Sequence, residues 1–176
     1  MPVLPAEARI LEILKTMNIP FERFEHPPVA TVQEAEKYSD LHSGAHCKNL
    51  FLRDKPGRKH YLVVLRVETD VDLTKLARYF HSGRLSFASN ERLFKYLGVL
   101  PGAVSPFGLV FDTNHEVITV LDKTILDAET AGFHPNVNTA TLVVRVTDLL
   151  RFLDLNGSPY RVMDFSQEDF SEDPLY

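Results

Sequence analysis

The sequence predicts an α+β (mixed α/β) fold in which helices pack on a mixed β-sheet. Three observations carry this reading. Apolar residues recur at helical spacing near both ends of the 176-residue chain, at Ile10, Leu11, Ile13, Leu14 and Met17 and again from Thr147 to Leu155. Between them lie short apolar runs, Asn49–Arg53, Tyr61–Arg66 and Val117–Leu121, of the kind that form strands. Strands and helices are interspersed without a regular βαβ repeat, which favours a mixed sheet with helices laid on it.

Taken in order, Ala6 to Met17 is an amphipathic helix that begins after a first-turn proline and ends before Pro20. Phe21–Glu25 alternates as a strand does, and His26-Pro27-Pro28 closes it with a turn. Thr31 with Glu34 forms a capping box for a short helix through Tyr38. Asn49–Arg53 and Tyr61–Arg66, joined by Asp54-Lys-Pro-Gly-Arg-Lys59, read as a β-hairpin with its basic residues at the tip, and Lys48 stands where the first strand begins. Leu73–Phe80 and Ser89–Leu97 are short helices, the second stopped by Gly98. Leu109–Phe111, Val117–Leu121 and Thr139–Val146 supply further strands, and a last helix from Thr147 through Leu155 ends at Asn156-Gly157.

At 44% hydrophobic residues and this length, one core is expected, giving a single domain over residues 1–164 and an acidic tail over 165–176, docked at most by Phe165, Phe170 and Tyr176. No apolar run is long enough for a membrane span, and the N-terminus lacks the basic region of a secretory signal. A lone Cys47 allows no internal disulfide and suits a reducing cytosol. The net charge of −5 is unevenly spread: six cations, Lys48, Arg53, Lys55, Arg58, Lys59 and Arg66, face one acid, Asp54, between His42 and Arg66. Such a segment either grips phosphates or is an ordinary solvated hairpin.

Familiar catalytic signatures are missing: the chain has no G-x-S-x-G, H-E-x-x-H, Walker loop or G-x-G-x-x-G. His42, His46 and Cys47 offer three donors, but Gly44 interrupts the helix such spacing needs and no fourth ligand completes a zinc set, so no metal is expected. Cys47 has no recognisable base partner and reads as packed and inert. The densest signal is Gly98-Val-Leu-Pro-Gly102-Ala-Val-Ser-Pro106-Phe-Gly108, whose glycines and prolines impose an unusual path that leaves amides free for a ligand's oxygens. From position alone Lys48 is either a solvated charge or a partner for a phosphate or carboxylate. His134, between Phe133 and Pro135, is either a satisfied structural imidazole or a functional one, and Asn136 and Asn138 either cap a turn or meet a ligand.

Together these motifs resemble the YbaK/ProX family of prolyl-tRNA editing proteins, relatives of the editing domain of bacterial prolyl-tRNA synthetases. The likeness runs in order through His26-Pro-Pro-Val-Ala-Thr, Lys48-Asn-Leu-Phe-Leu-Arg-Asp, Leu85-Ser-Phe-Ala-Ser-Asn-Glu-Arg-Leu, the Gly98–Leu109 segment and Phe133-His-Pro-Asn to the final helix, about nine tenths of the chain. Phe-His-Pro-Asn and Leu-Ser-Phe-Ala-Ser are closer to the branch that removes alanine from mischarged tRNA(Pro) than to the branch that removes cysteine. The departure is Phe111, which stands before Asp112 where a polar residue is expected.

The resemblance implies a mostly antiparallel mixed sheet or partial barrel surrounded by helices, with no cofactor. It makes Lys48 the essential lysine, Gly102 to Pro106 the G-x-x-x-P loop, and His134 a border of the aminoacyl pocket. An aminoacyl ester needs only a positioned water and a stabilised oxyanion. The amides of Gly102 and Ala103 are therefore expected to hold the ester carbonyl, Lys48 a terminal phosphate, and the substrate's free ribose hydroxyl the water. Phe51, Leu52, Phe107 and His134 are expected to wall a pocket that admits alanine and refuses proline, with Ser105, Pro106 and Asn136 also touching substrate. Arg53, Lys55, Arg58 and Lys59 are expected at the acceptor end of tRNA(Pro). A prolyl-tRNA synthetase partner, a cytoplasmic location and either a monomer or a homodimer complete the expectation. The alternatives are a deacylase for cysteinyl or another small aminoacyl-tRNA, and a non-catalytic module that binds tRNA or synthetase.

Overall fold

The computed structural model describes residues 3–29, 34 and 37–167. Helix α1 spans Pro5–Thr16, with proline in its first turn where no intrahelical N–H is needed. It buries Ile10 and Leu14 and is tied to strand β1, Glu22–Glu25, by Arg23, whose Nε donates to Glu7 Oε1 at 2.6 Å. Glu7 is only 1% exposed, so the guanidinium is what makes a carboxylate tolerable there. The helix expected from Thr31 to Tyr38 rests on a cap at Thr31 that lies outside the described residues.

Strands β2, Ala45–Asp54, and β3, His60–Arg66, form the expected hairpin, in register from Cys47 opposite Arg66 to Arg53 opposite His60. β2 begins earlier than expected, which puts Lys48 in its interior. The remaining strands are β4, Leu85–Phe87, β5, Val117–Asp122, β6, Thr130–Phe133, β7, Ala140–Arg145, and β8, Tyr160–Met163. They form one eight-stranded open sheet in the order β1-β7-β6-β2-β3-β5-β8, with β4 pairing the far end of β2. Four pairings are antiparallel (β1 with β7, β6 with β7, β2 with β3, β2 with β4), and three are parallel (β2 with β6, β3 with β5, β5 with β8). Helices α2, Leu73–Tyr79, α3, Asn90–Leu97, and α4, Val146–Asn156, complete the layers.

Alternation along β2 and β3 feeds two cores. Phe51, Leu62 and Val64 point into the larger one with Leu97, Phe107, Leu142 and Phe152. Leu52, Tyr61, Val63 and Leu65 point into the other with Leu76, Phe80, Met163 and Phe165. A strand buried on both faces has no polar side to show, which is why Tyr61 to Leu65 is an unbroken apolar run. Phe165 is thus docked against the body of the fold.

One expected strand is absent. Leu109–Phe111 belongs to a 3₁₀ segment, Pro106–Phe111, because local bonds capture its start: Ser105 Oγ accepts from Phe107 N at 3.2 Å and Ser105 O from Gly108 N at 3.1 Å. Packing then holds it, since a Cβ on Gly108 would lie 2.8 Å from Leu97 O. Asp112 closes the segment, its carboxylate accepting from Glu116 N and Val117 N at 3.1 and 2.7 Å.

Candidate functional site

Helix α3 ends in the left-handed region at Gly98 (φ 63°), whose N–H donates to Phe94 O. The chain then buries Val99, exposes Leu100, and turns at Gly102 (φ 87°) before Ala103 returns to the core. Two side chains hydrogen-bond this stretch from different elements, and a third faces it. Asn49 of β2 donates Nδ2 to Val104 O at 3.0 Å. Asn136 donates Nδ2 to Leu97 O at 3.0 Å, capping the end of α3. His134 faces the Gly102 backbone, which favours its protonated form.

Two of those three come from the turn that follows β6. Asn136 adopts φ 58° there, which asparagine tolerates better than most residues. Asn138 extends the same turn to a third segment, donating Nδ2 to Val29 O at 2.9 Å while its own carbonyl accepts from Val29 N at 3.0 Å. Burial, then the neighbouring His26, lowers the His134 pKa to about 4, and the Gly102 backbone opposes that shift. His134 is therefore neutral near pH 7. His26 lies 5.7 Å from it, ring to ring, and stacks on Tyr38 at 5.5 Å. Pro27 O lies 2.9 Å from His26 Nδ1 and can only accept, which puts the proton on Nδ1 and leaves Nε2 to accept from the Thr141 hydroxyl at 3.0 Å.

Several sequence-derived assignments change. Ala103 N donates to Leu100 O at 3.1 Å, so of the two expected amide donors only Gly102 remains for a substrate oxygen. Phe107 is 0% exposed, held edge-on between Phe133 and Phe152, and lines no pocket. Phe51 stacks on His60 in the same core and Leu52 fills the opposite one. Ser105 and Pro106 are buried as the cap and first residue of the 3₁₀ segment, and Asn136 serves α3. Lys48 leaves β2 on the face opposite Asn49, and its Nζ donates to Val67 O at 2.9 Å. Lys48, Gly102 and His134 all stay partly exposed.

At the hairpin tip Arg53 folds back on the backbone, Nη1 donating to Asp54 O and Lys55 O at 3.1 and 2.7 Å. Lys55, Arg58 and Lys59 are exposed. Asp54 turns inward, and Oδ1 accepts from Arg58 N at 2.7 Å and Lys59 N at 3.0 Å, so the one acid of the segment is engaged with the turn. Elsewhere His42 and His46 lie 4.4 Å apart, ring to ring, and no group of three or more His, Cys, Asp or Glu residues is placed to hold a metal among the described residues. Burial pushes the Cys47 thiol up to about 12, far from a nucleophile's range.

Asn49 and His26 are the positions that sequence reasoning passed over. The signal for Asn49 was present: an amide inside an otherwise apolar strand needs a partner, and it finds one in the loop. His26 carried no such signal, since its partner Thr141 is 115 residues away.

Residues 26–152 match the aminoacyl-tRNA editing domain family. The chain is 39% identical over 161 residues to the prolyl-tRNA editing protein ProX of Acetoanaerobium sticklandii, covering 92% of this chain and 98% of that one. It is 36% identical over 156 residues to the prolyl-tRNA synthetase associated domain-containing protein 1 of Danio rerio, covering 86% and 84%. Among solved structures it superposes on a candidate trans-editing enzyme for prolyl tRNA synthetase with a TM-score of 0.70 at 22% identity, over 98% of this chain and 100% of the other, a likeness of fold.

Proposed function

The chain belongs to the aminoacyl-tRNA editing domain family and is an aminoacyl-tRNA deacylase, and on that premise we propose that its substrate is the alanyl ester of tRNA(Pro), hydrolysed in trans. The observation that supports it most is the anchoring of the Leu97–Pro106 stretch by Asn49 and Asn136, with His134 against Gly102. Rigid anchoring lets a backbone amide meet a developing oxyanion without reorganising, and that is the main catalytic need of an activated ester.

In this reading Gly102 supplies that amide. Lys48 exchanges Val67 O for a phosphate of the terminal adenosine, and the free ribose hydroxyl orients the water. Neutral His134 borders the aminoacyl pocket as a wall, its one N–H facing the Gly102 backbone. With Phe51 and Phe107 committed to the core, the size limit that refuses proline falls to His134 and the loop backbone. A synthetase pocket shaped for proline rejects alanine weakly, each missing methylene being worth about 1–3 kcal/mol, so a second, smaller site is what discrimination requires. The name of the Acetoanaerobium relative supports tRNA(Pro) as the tRNA, and that of the Danio relative a working link to prolyl-tRNA synthetase. No described helix is long and apolar enough to cross a membrane, and the reading places the protein in the cytoplasm, as a monomer or homodimer.

Hydrolysis of Ala-tRNA(Pro), Pro-tRNA(Pro) and Cys-tRNA(Pro) by the intact protein and by Lys48→Ala tests this. Loss of alanine alone, abolished by the substitution, is expected. Equal or faster loss of cysteine overturns the alanyl assignment. Binding without turnover on all three favours a non-catalytic module.

A further inference from the structure

Helix α3 joins two parts of the molecule that the activity must connect. At its start Arg92 Nη1 donates to Gly57 O at 3.0 Å and lies 2.7 Å from His60 Nε2, which fastens the helix to the basic hairpin tip. At its end Leu97 O is held by Asn136, and the chain runs directly into the loop that carries Gly102. Eight residues at 1.5 Å each span about 12 Å between tip and loop.

The inner face of α3 buries Leu93, Tyr96 and Leu97. Its outer face carries Phe94, 66% exposed, which the core does not use. Phe94 and Gly98 lie one turn apart on the same face. The Phe111 ring sits on Gly98, so close that a Cβ there would fall 2.8 Å from its Cδ2, and Phe111 itself remains 39% exposed. Leu100, two residues on, is 67% exposed. Phe94, Phe111 and Leu100 thus make an apolar shelf beside the Gly102 loop, and Phe111 is the residue that departs from the expected pattern.

The charges around the shelf indicate its occupant. Lys95 is exposed next to Phe94, its Nζ 4.6 Å from the centre of the Tyr96 ring, and Lys55, Arg58 and Lys59 stand at the far end of the helix with Asp54 turned away. Glu91, in the first turn, is the one exposed acid on the helix. Exposed aromatic rings flanked by cations suit unpaired nucleotides, whose bases stack on the rings while their phosphates meet the cations. Paired bases show no free face to such a ring.

We propose that the Phe94–Leu100–Phe111 shelf is a stacking platform for the unpaired 3′ nucleotides of the tRNA, with Lys95 and the hairpin cations Lys55, Arg58 and Lys59 on the phosphates. The proposal rests on the deacylase reading above, and it adds the surface that delivers the ester to the loop.

Its test is binding rather than turnover, so that it stands or falls separately from the choice of amino acid. The probes are an uncharged acceptor-stem RNA hairpin with its unpaired 3′ nucleotides and the same hairpin without them, each titrated by fluorescence anisotropy against the full chain, Phe94→Ala and Phe94→Trp. The full chain is expected to bind the overhang-bearing probe about tenfold more tightly than the blunt one, in keeping with aromatic stacking. Phe94→Ala is expected to erase that difference and Phe94→Trp to keep it. Replacing Lys55, Arg58 and Lys59 by alanine is expected to weaken both probes and flatten the salt dependence. Phe94 is mostly exposed, so an unchanged melting curve verifies that the variant is folded. A full chain that does not distinguish the probes, or a Phe94→Ala that leaves their ratio unchanged, overturns the platform; either result with intact deacylation leaves the enzyme reading standing, and points to a protein partner for the shelf.

Discussion

Lowering the pH from 7.5 to 5 is expected to remove a large share of an ordinary domain's stability from this protein. His60, fully buried, is pushed down to about 4 by burial and then by the Arg92 guanidinium. His42 is brought to about 4 by burial and by His46, and His134 to about 4 by burial and by His26. Each ring titrates near 6.5 in the unfolded chain, so between about 6.5 and 4 the unfolded state takes up protons that the native state refuses. The stabilisation from keeping these rings neutral is therefore complete above pH 6.5 and is lost as the pH falls towards 4. At pH 5 each costs about 2 kcal/mol, roughly 6 kcal/mol for the three, against a typical total of about 5–15 kcal/mol. Asp54 and Asp72, held below the usual carboxylate value, do not confound the window, because their contributions fade only under about pH 4. Urea unfolding followed by circular dichroism at pH 7.5, 6.5, 5.5 and 5.0 reads the slope, expected at about 3.5 kcal/mol per pH unit between 6 and 5. His60→Gln is expected to lower that slope by about one third. Stability constant to within about 1 kcal/mol from pH 7 to 5 would refute the reasoning.

Gly98→Ala is expected to cost about 1–2 kcal/mol, because it combines a left-handed φ with a Cβ pressed against the Phe111 ring; thermal denaturation measures it. Phe107→Ala is expected to lose about 3–5 kcal/mol from a site closed by Phe133 and Phe152, and to appear in the denaturation midpoint rather than in KM. Cys47 is expected to react with a thiol reagent at pH 7.5 only after urea unfolding, since burial suppresses its thiolate; rapid labelling of the native protein would contradict its placement. Asn136→Ala is expected to lower kcat of deacylation more than it raises KM, by freeing Leu97 O and with it the base of the loop, and steady-state kinetics separates the two effects.

The elements read correctly from sequence are those whose determinants are local. Helix α4 announces itself by period and by Gly157 in the left-handed region, and the β2–β3 hairpin by two apolar runs around a Lys-Pro-Gly turn. Strands β4, β6 and β8 are three or four residues long, too short for a period, and exist because β2, β7 and β5 offer them edges. Leu109–Phe111 has a strand's composition, yet Ser105 and the close approach of Gly108 to Leu97 dictate a 3₁₀ path. For the site, residue identity was legible but direction was not. A loop amide looks free until its turn partner is known, as with Ala103 and Leu100 O. An aromatic beside a motif lines a pocket or a core according to which face of the strand it leaves by, as Phe51 does.

The way the sheet is ordered bears on how the chain is made. One edge of the sheet, β1, pairs with β7, joining residues 22–25 to residues 140–143, and the other edge is β8, at residues 160–163, on β5. The β2–β3 hairpin can close as soon as it is synthesised, but the β1 flank waits for residues 140–143 and the β8 flank for residues 160–163. With contacts this distant in sequence, folding is expected to be slow. The apolar β3 and β5 strands then stand unprotected during synthesis, so a truncated nascent chain ending before β8 is a substrate for chaperones or for aggregation rather than a partial enzyme.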